Sequence, residues 1–138
     1  MRILLAGLTL LIALAFLPAE RAHADEAAAR AVIEGQIEAF LADDGPAAYS
    51  FAAPGIRSMF PNEERFKAMV RQGYPPVYRP RDFAFGRYRE TAAGPVQEVS
   101  IVDRSGVAWQ AIYSLEQQPD GTWKISGCRL VRLPGVSA

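Results

Sequence analysis

The chain has 138 residues with 15 basic and 15 acidic side chains, and hydrophobic residues make up 50% of it. This balance excludes a large multidomain protein, a low-complexity disordered chain and a nucleic-acid binder that relies on bulk positive charge. One histidine and one cysteine exclude the zinc-finger and disulfide-framework classes.

The first predicted element is a targeting segment. A basic start precedes an uncharged run over residues 3–17, and a small-x-small site follows at Ala22 and Ala24. This order is typical of a secretory signal peptide, and as a helix the run would span about 22 Å, less than the ~30 Å hydrocarbon core. We predict a signal peptide over residues 1–24, cleaved between Ala24 and Asp25. The mature chain is then periplasmic or extracellular, soluble and without a membrane anchor; a retained anchor is the alternative.

The single histidine, His23, lies in the predicted signal peptide, so the chain over residues 25–138 contains no imidazole. Imidazole is the usual general base, the partner of nucleophilic Ser or Cys, and the commonest metal ligand. We therefore lean towards a protein that is not an enzyme, and we predict no metal and no other cofactor.

The first predicted helix of the mature chain covers residues 25–44. Its apolar side chains recur every three or four residues, which places them on one helix face. They are Ala29, Ile33, Ile37, Phe40 and Leu41. Gly45 and Pro46 end the helix, because Gly suits the left-handed position after a helix and Pro cannot continue it.

Two shorter helices and a rigid connector follow. One helix is predicted over residues 46–53, and the next begins after the N-cap Asn62 and runs to residue 72. Three prolines within residues 74–80 predict an extended or polyproline-like segment, because each proline also pushes the preceding residue out of the helical region.

After residue 80 the apolar residues alternate with a period of two, the pattern of strands with one buried face. Strands are predicted over residues 81–91, 96–103, 107–117 and 122–133. The turns between them are short and therefore require antiparallel neighbours. On the third strand, one face carries Trp109, Ala111, Tyr113 and Leu115.

The fourth predicted strand alternates less regularly. Trp123, Ile125 and Val131 share one face and Cys128 falls on the other, while Leu130 breaks the alternation. Helices followed by a strand meander predict an α+β fold, with the N-terminal helices packed on a four-stranded antiparallel sheet. We expect one domain over residues 25–138, in which the first helix covers one face of the sheet.

Several short segments carry a resemblance to a known family. They are FAAPGI at residues 51–56, MFP at 59–61, YPPVYRP at 74–80, QEV at 97–99, WQAIY at 109–113 and DGTWKISGC at 120–128. On these the sequence resembles domain-of-unknown-function family 4864, a family of short exported bacterial proteins. The element order is also similar to the nuclear transport factor 2-like (cystatin-like) cone. That resemblance implies a curved sheet around a long helix, with a pocket between them. The family implies no activity and no catalytic residues.

The candidate ligand-binding residues are aromatic side chains and one arginine. A cone could gather the aromatic residues at the mouth of a mostly apolar pocket, where Tyr and Trp supply hydrogen-bonding groups. They are Tyr49, Phe60, Tyr74, Tyr78, Trp109 and Tyr113. Arg79, held in a proline-rich segment, suits a carboxylate or phosphate. The alternatives are ordinary core packing for the aromatic residues and a stiff connector for the arginine segment.

Cys128 is a free thiol, because no second cysteine exists with which it could form an intramolecular disulfide. We expect it to be buried and inert, with an intermolecular disulfide as the alternative. Glu98 is a candidate inward-facing carboxylate.

We predict an exported, non-catalytic domain that binds a small apolar or amphipathic ligand or a partner protein. One alternative is an enzyme that needs no histidine and uses carboxylate and tyrosine chemistry in the same pocket. Another is an interaction module that forms a homodimer through its exposed sheet face. The near-neutral charge predicts no nucleic-acid partner.

Overall fold

The computed structural model describes residues 17–135. In this part of the chain five helices precede four strands: α1 (Pro18–Leu41), α2 (Gly45–Ser50), α3 (Pro54–Met59), α4 (Glu63–Gly73), α5 (Pro75–Tyr78), β1 (Pro80–Thr91), β2 (Gly94–Asp103), β3 (Ala108–Gln117) and β4 (Trp123–Arg132). The strands form one antiparallel sheet in the order β1-β2-β3-β4. The predicted α+β class is confirmed, and each strand boundary lies within two residues of its prediction.

Most of the predicted signal peptide, residues 1–16, lies outside the described residues. Between residues 17 and 135, none of the helices combines the length and the apolar character needed to cross a bilayer. α1 begins at Pro18 and not at residue 25, because proline fits the first turn of a helix, and the side chains of residues 18–24 are exposed.

The apolar face of α1 packs on the inner face of the sheet. Its buried residues are Ala29, Ile33, Gln36, Ile37, Ala39 and Phe40. Leu41 was expected on this face and is 42% exposed. The prediction was wrong because Leu41, the last helical residue, lies about 100° around the helix from Phe40. Burying each large side chain of this face contributes about 1.5–3 kcal/mol relative to its exposure.

Two aspartates shape the junction between α1 and α2, where the sequence analysis predicted that Gly45 adopts the left-handed conformation. Asp43, and not Gly45, adopts the left-handed conformation after α1, with φ of 54°. Asp tolerates this region better than most residues. Asp44 then caps α2, since its side chain accepts a hydrogen bond of 3.1 Å from the backbone N–H of Ala47.

The sequence prediction missed two short helices. The helix predicted over residues 46–53 ends at Ser50, and Pro54 begins α3. The segment predicted to be polyproline-like contains a helical turn, α5, in which the N–H of Arg79 donates to the carbonyl of Pro75 at 2.9 Å. The sequence analysis treated proline as a helix breaker. Proline is tolerated in the first turn of a helix, because the backbone N–H groups of that turn have no partner within the helix. The N-cap of α4 is confirmed: Asn62 accepts from the N–H of Arg65 at 2.9 Å.

The inner face of the sheet is built mainly from β2, β3 and β4. Its fully buried side chains include Val99, Ile101, Ala111, Tyr113, Leu115 and Ile125. Ile33, Ile37 and Phe40 of α1 belong to the same hydrophobic cluster. Trp109 is half-buried and packs against this cluster, so the predicted face of the third strand is confirmed.

A β-bulge in β4 changes which of its residues face the core. Leu115 pairs with Ile125 and Ser114 pairs with Gly127, which leaves Ser126 without a partner in the register. Because one extra residue reverses the alternation, Cys128 and Leu130 join the inner face, and Val131 is 37% exposed. The sequence analysis predicted Val131 on the same face as Ile125 and Cys128 on the other face. Both predictions were wrong, and the bulge is the physical reason.

Candidate functional site

An apolar cavity of about 350 Å³ lies between the helices and the inner face of the sheet. It is lined by Gln36, Phe40, Ile56, Met59, Phe60, Phe66, Met69, Val70, Tyr74, Val77, Tyr113, Ile125, Gly127 and Cys128. The helical part of the chain supplies one wall, and β3 and β4 supply the other. Met59 is 67% exposed, so the cavity reaches the surface beside α3. Its volume is at the lower end of the roughly 300–1,000 Å³ that is typical of ligand pockets.

The predicted ligand-binding residues divide into two groups. Phe60, Tyr74 and Tyr113 line the cavity. The other predicted residues, which are not among the lining residues, are Tyr49, Tyr78, Arg79 and Trp109. Each of these four has a partner within the fold. Ligand binding by any of the predicted residues stays a prediction.

Tyr49 holds the end of α3 in place. Its hydroxyl donates to the carbonyl of Phe60 at 2.6 Å, and the guanidinium of Arg57 lies 4.6 Å from the centroid of its ring. The ring also packs against Phe66, with the two ring centroids 5.6 Å apart. Tyr49 therefore supports the wall of the cavity from behind.

Arg79 caps the C-terminus of α1. Its guanidinium donates to the carbonyl of Phe40 and forms an ion pair with Asp43. That guanidinium, through its hydrogen bond and its charge, lowers the pKa of the Asp43 carboxyl, and the hydroxyl of Tyr78 lies 3.4 Å from the same carboxyl group. A cation at the end of a helix also interacts favourably with the helix dipole. These contacts give Tyr78 and Arg79 structural roles in the fold.

Trp109 fixes the turn between β2 and β3. Its indole N–H donates to Oδ2 of Asp103 at 2.9 Å, and the backbone N–H groups of Ser105 and Val107 donate to Oδ1 of the same residue. The bond from Trp109, followed by those from the backbone, lowers the pKa of Asp103. Trp109 thus joins a turn to the edge of the core.

Tyr113 is the exceptional polar residue of the cavity. It is 1% exposed, and among the described residues its hydroxyl has no nitrogen or oxygen partner, so that the thiol of Cys128 is the polar group that interacts with it. Its cross-strand partner on β4 is Cys128, whose thiol is only a weak hydrogen-bonding group. Burial raises the pKa of Tyr113 well above its ordinary value, so the hydroxyl keeps its proton. A buried hydroxyl without a partner costs about 1–3 kcal/mol.

The remaining polar groups of the lining are also uncharged. Burial raises the pKa of Cys128 to about 12, which keeps the thiol protonated. Gln36 is 4% exposed and donates through Nε2 to the carbonyl of Ala48 at 3.1 Å, a bond that uses none of the amide's acceptor capacity. Sequence reasoning missed Gln36, although a signal existed: it lies three residues after Ile33, on the apolar face of α1.

A second, more open depression of about 850 Å³ lies between α1 and the turn joining β3 to β4. Two of its polar side chains are engaged, since Asp120 accepts from the hydroxyl of Thr122 at 2.7 Å and Lys124 donates to the carbonyl of Ser50 at 2.5 Å. Across residues 17–135, no three His, Cys, Asp or Glu side chains come together as metal ligands. The apolar cavity is therefore the stronger candidate site.

The comparisons with known proteins identify a family. Residues 22–138 match the family model described as "Domain of unknown function (DUF4864)". Comparison with the curated proteins and with the solved structures gave no match. Because the matched segment covers most of the chain, the protein belongs to the DUF4864 family.

Proposed function

We propose that the protein binds one small, mainly apolar molecule in the cavity and does not transform it. The observation that carries this proposal is the hydroxyl of Tyr113, which is buried in a mainly apolar lining and has no nitrogen or oxygen partner among the described residues. Buried polar atoms are nearly always hydrogen-bonded, and an exception calls for an explanation. A bound molecule that supplies the missing partner is such an explanation.

The lining favours binding over carboxylate and tyrosine catalysis. General acid–base catalysis needs a titratable group within hydrogen-bond reach of the substrate. No Asp or Glu is among the described residues that line the cavity. Glu98, the candidate inward carboxylate, lies between the buried residues Gln97 and Val99 on β2 and therefore occupies the opposite face of the sheet.

We also propose that the protein acts after export. Cleavage between Ala24 and Asp25 would remove the first turns of α1, whose side chains over residues 18–24 are exposed. The buried face of α1 begins at Ala29 and would stay intact.

We propose, in addition, that the protein belongs to the nuclear transport factor 2-like superfamily. The long helix on the inner face of a four-stranded sheet, with a cavity beside it, supports this proposal.

A homodimer through the outer sheet face is the weaker candidate. In one row across that face, Ile112 lies between Glu98 and Arg129 in the strand register. Charged residues on both sides interrupt the apolar surface, whereas a docking face is expected to present a continuous apolar patch. The site in the cavity therefore has the stronger physical support.

Native mass spectrometry of the protein purified from its own host tests the binding proposal. We expect the wild type to carry a small-molecule adduct that denaturation releases. Met69→Trp should remove the adduct because the indole fills the cavity, whereas Leu41→Trp, at an exposed position outside the lining, should keep it. A wild type without an adduct, or an adduct that persists in Met69→Trp, would contradict the proposal.

A further inference from the structure

We infer that the molecule held in the cavity is uncharged and accepts a hydrogen bond from the hydroxyl of Tyr113 through a carbonyl or ether oxygen. This inference rests on the proposed function and defines its ligand class. It follows from three features of the site: the charge of the lining, the hydrogen-bonding capacity of Tyr113, and the distribution of polar and apolar groups along the walls.

The first feature is the charge of the lining. No Lys, Arg, Asp or Glu is among the described residues around the cavity. Two arginines near lining residues in the chain are engaged elsewhere, Arg57 over the ring of Tyr49 and Arg79 with Asp43. An unpaired charge in an apolar site is strongly unfavourable. A carboxylate such as that of an ionised fatty acid would therefore find no counterion here.

The second feature is the donor capacity of Tyr113. A phenol hydroxyl carries one donor and two acceptor lone pairs, and a buried donor without a partner is rarer than an acceptor with a spare lone pair. The hydroxyl stays protonated because burial raises its pKa. The thiol of Cys128, its cross-strand partner, is a poor substitute for an oxygen acceptor. An oxygen acceptor on the ligand meets the unmet requirement.

The third feature is the distribution of polar and apolar groups. Phe40, Phe66, Met69 and Val70 supply an apolar wall, and the Phe40 and Phe66 ring centroids lie 6.0 Å apart. Methionine adapts its shape to different apolar groups and contacts aromatic rings favourably. The site therefore suits a compact, mainly apolar body that carries an oxygen acceptor on the side of Tyr113.

Three probes of similar shape test this inference: acetophenone, isopropylbenzene and benzoate. Binding would be followed at pH 8 by chemical shifts in NMR spectra of the chain over residues 25–138, which retains the whole buried face of α1. We expect acetophenone to bind about threefold to tenfold more tightly than isopropylbenzene, the gain typical of one net hydrogen bond. Benzoate, which is fully ionised at this pH, should bind at least tenfold more weakly than acetophenone.

Two tyrosine variants identify the group that recognises the oxygen. Tyr113→Phe should abolish or reverse the preference for acetophenone while isopropylbenzene still binds, because the carbonyl then leaves water without gaining a hydrogen bond. Tyr88→Phe is the matched control, because that hydroxyl bonds to Glu90 and Tyr88 is not a lining residue; it should keep the wild-type ratio.

The outcomes separate the two proposals. If isopropylbenzene binds as tightly as acetophenone, if Tyr113→Phe keeps the preference, or if benzoate binds as well as acetophenone, the ligand class is overturned while binding in the cavity stands. If none of the three probes binds the wild type, the proposed function fails, and this inference fails with it.

Discussion

Gln97 and Tyr113 are cross-strand partners on the inner face of the sheet, and both are at most 1% exposed. The amide of Gln97 is engaged through both its donor and its acceptor atom: Nε2 lies 2.8 Å from the carbonyl of Glu98 and 3.1 Å from that of Gly86, and Oε1 accepts from Arg30 at 3.3 Å. The hydroxyl of Tyr113, directly beside it, has no nitrogen or oxygen partner among the described residues. The same sheet thus satisfies one buried polar group and leaves its neighbour open.

The two regions differ because different elements cover them. A register shift in β1 between Phe85 and Tyr88 brings the carbonyl of Gly86 to Gln97, and Arg30 of α1 reaches the same amide. Tyr113 instead lines the cavity, and within the described part of the chain its hydroxyl does not bond to a backbone carbonyl. Polar groups near Gln97 therefore stabilise the fold, whereas the hydroxyl of Tyr113 is the group to which the proposed ligand would bind.

The largest effect is expected at Gln97. Gln97→Ala removes the amide, leaves the carbonyl of Gly86 with one bond fewer and opens a void, so the free energy of unfolding should fall by at least about 2 kcal/mol. Urea denaturation followed by tryptophan fluorescence measures this change. Glu98→Ala, on the opposite face, is the control and should change the free energy by no more than about 0.5 kcal/mol. Equal losses in the two variants would remove the basis of the comparison.

A smaller effect of opposite sign is expected at Tyr113. Tyr113→Phe removes a buried hydroxyl that has no nitrogen or oxygen partner among residues 17–135, so without a bound molecule the free energy of unfolding should stay the same or rise by up to about 1 kcal/mol. The same urea denaturation applies. A loss of about 1 kcal/mol or more would indicate a hydrogen bond within the protein, and Tyr113 would then resemble Gln97.

Much of the fold could be predicted because its signals are local. Alternating apolar residues and short turns define β1 to β4, and the cap at Asn62 defines the start of α4. The faces of β4 could not be predicted in the same way, because the bulge at Ser126 depends on how two strands pair. The break in alternation at Leu130 was the trace of it that the sequence analysis noted.

The candidate site was predictable only in part. Aromatic residues were expected around a pocket, and Phe60, Tyr74 and Tyr113 line it. Tyr49 and Arg79 have the same residue chemistry but bind backbone carbonyls of the fold. Whether a polar side chain meets a partner depends on segments distant in sequence, so composition and spacing could not separate these two groups.

A crystal structure of the wild-type protein with acetophenone tests the central claim most directly. We predict that the probe lies in the cavity with its carbonyl oxygen about 2.5–3.0 Å from the hydroxyl oxygen of Tyr113, the range of O–H···O hydrogen bonds. A structure in which the probe binds elsewhere, or in which side chains fill the cavity and the hydroxyl of Tyr113 donates to another residue of the protein, would contradict the account.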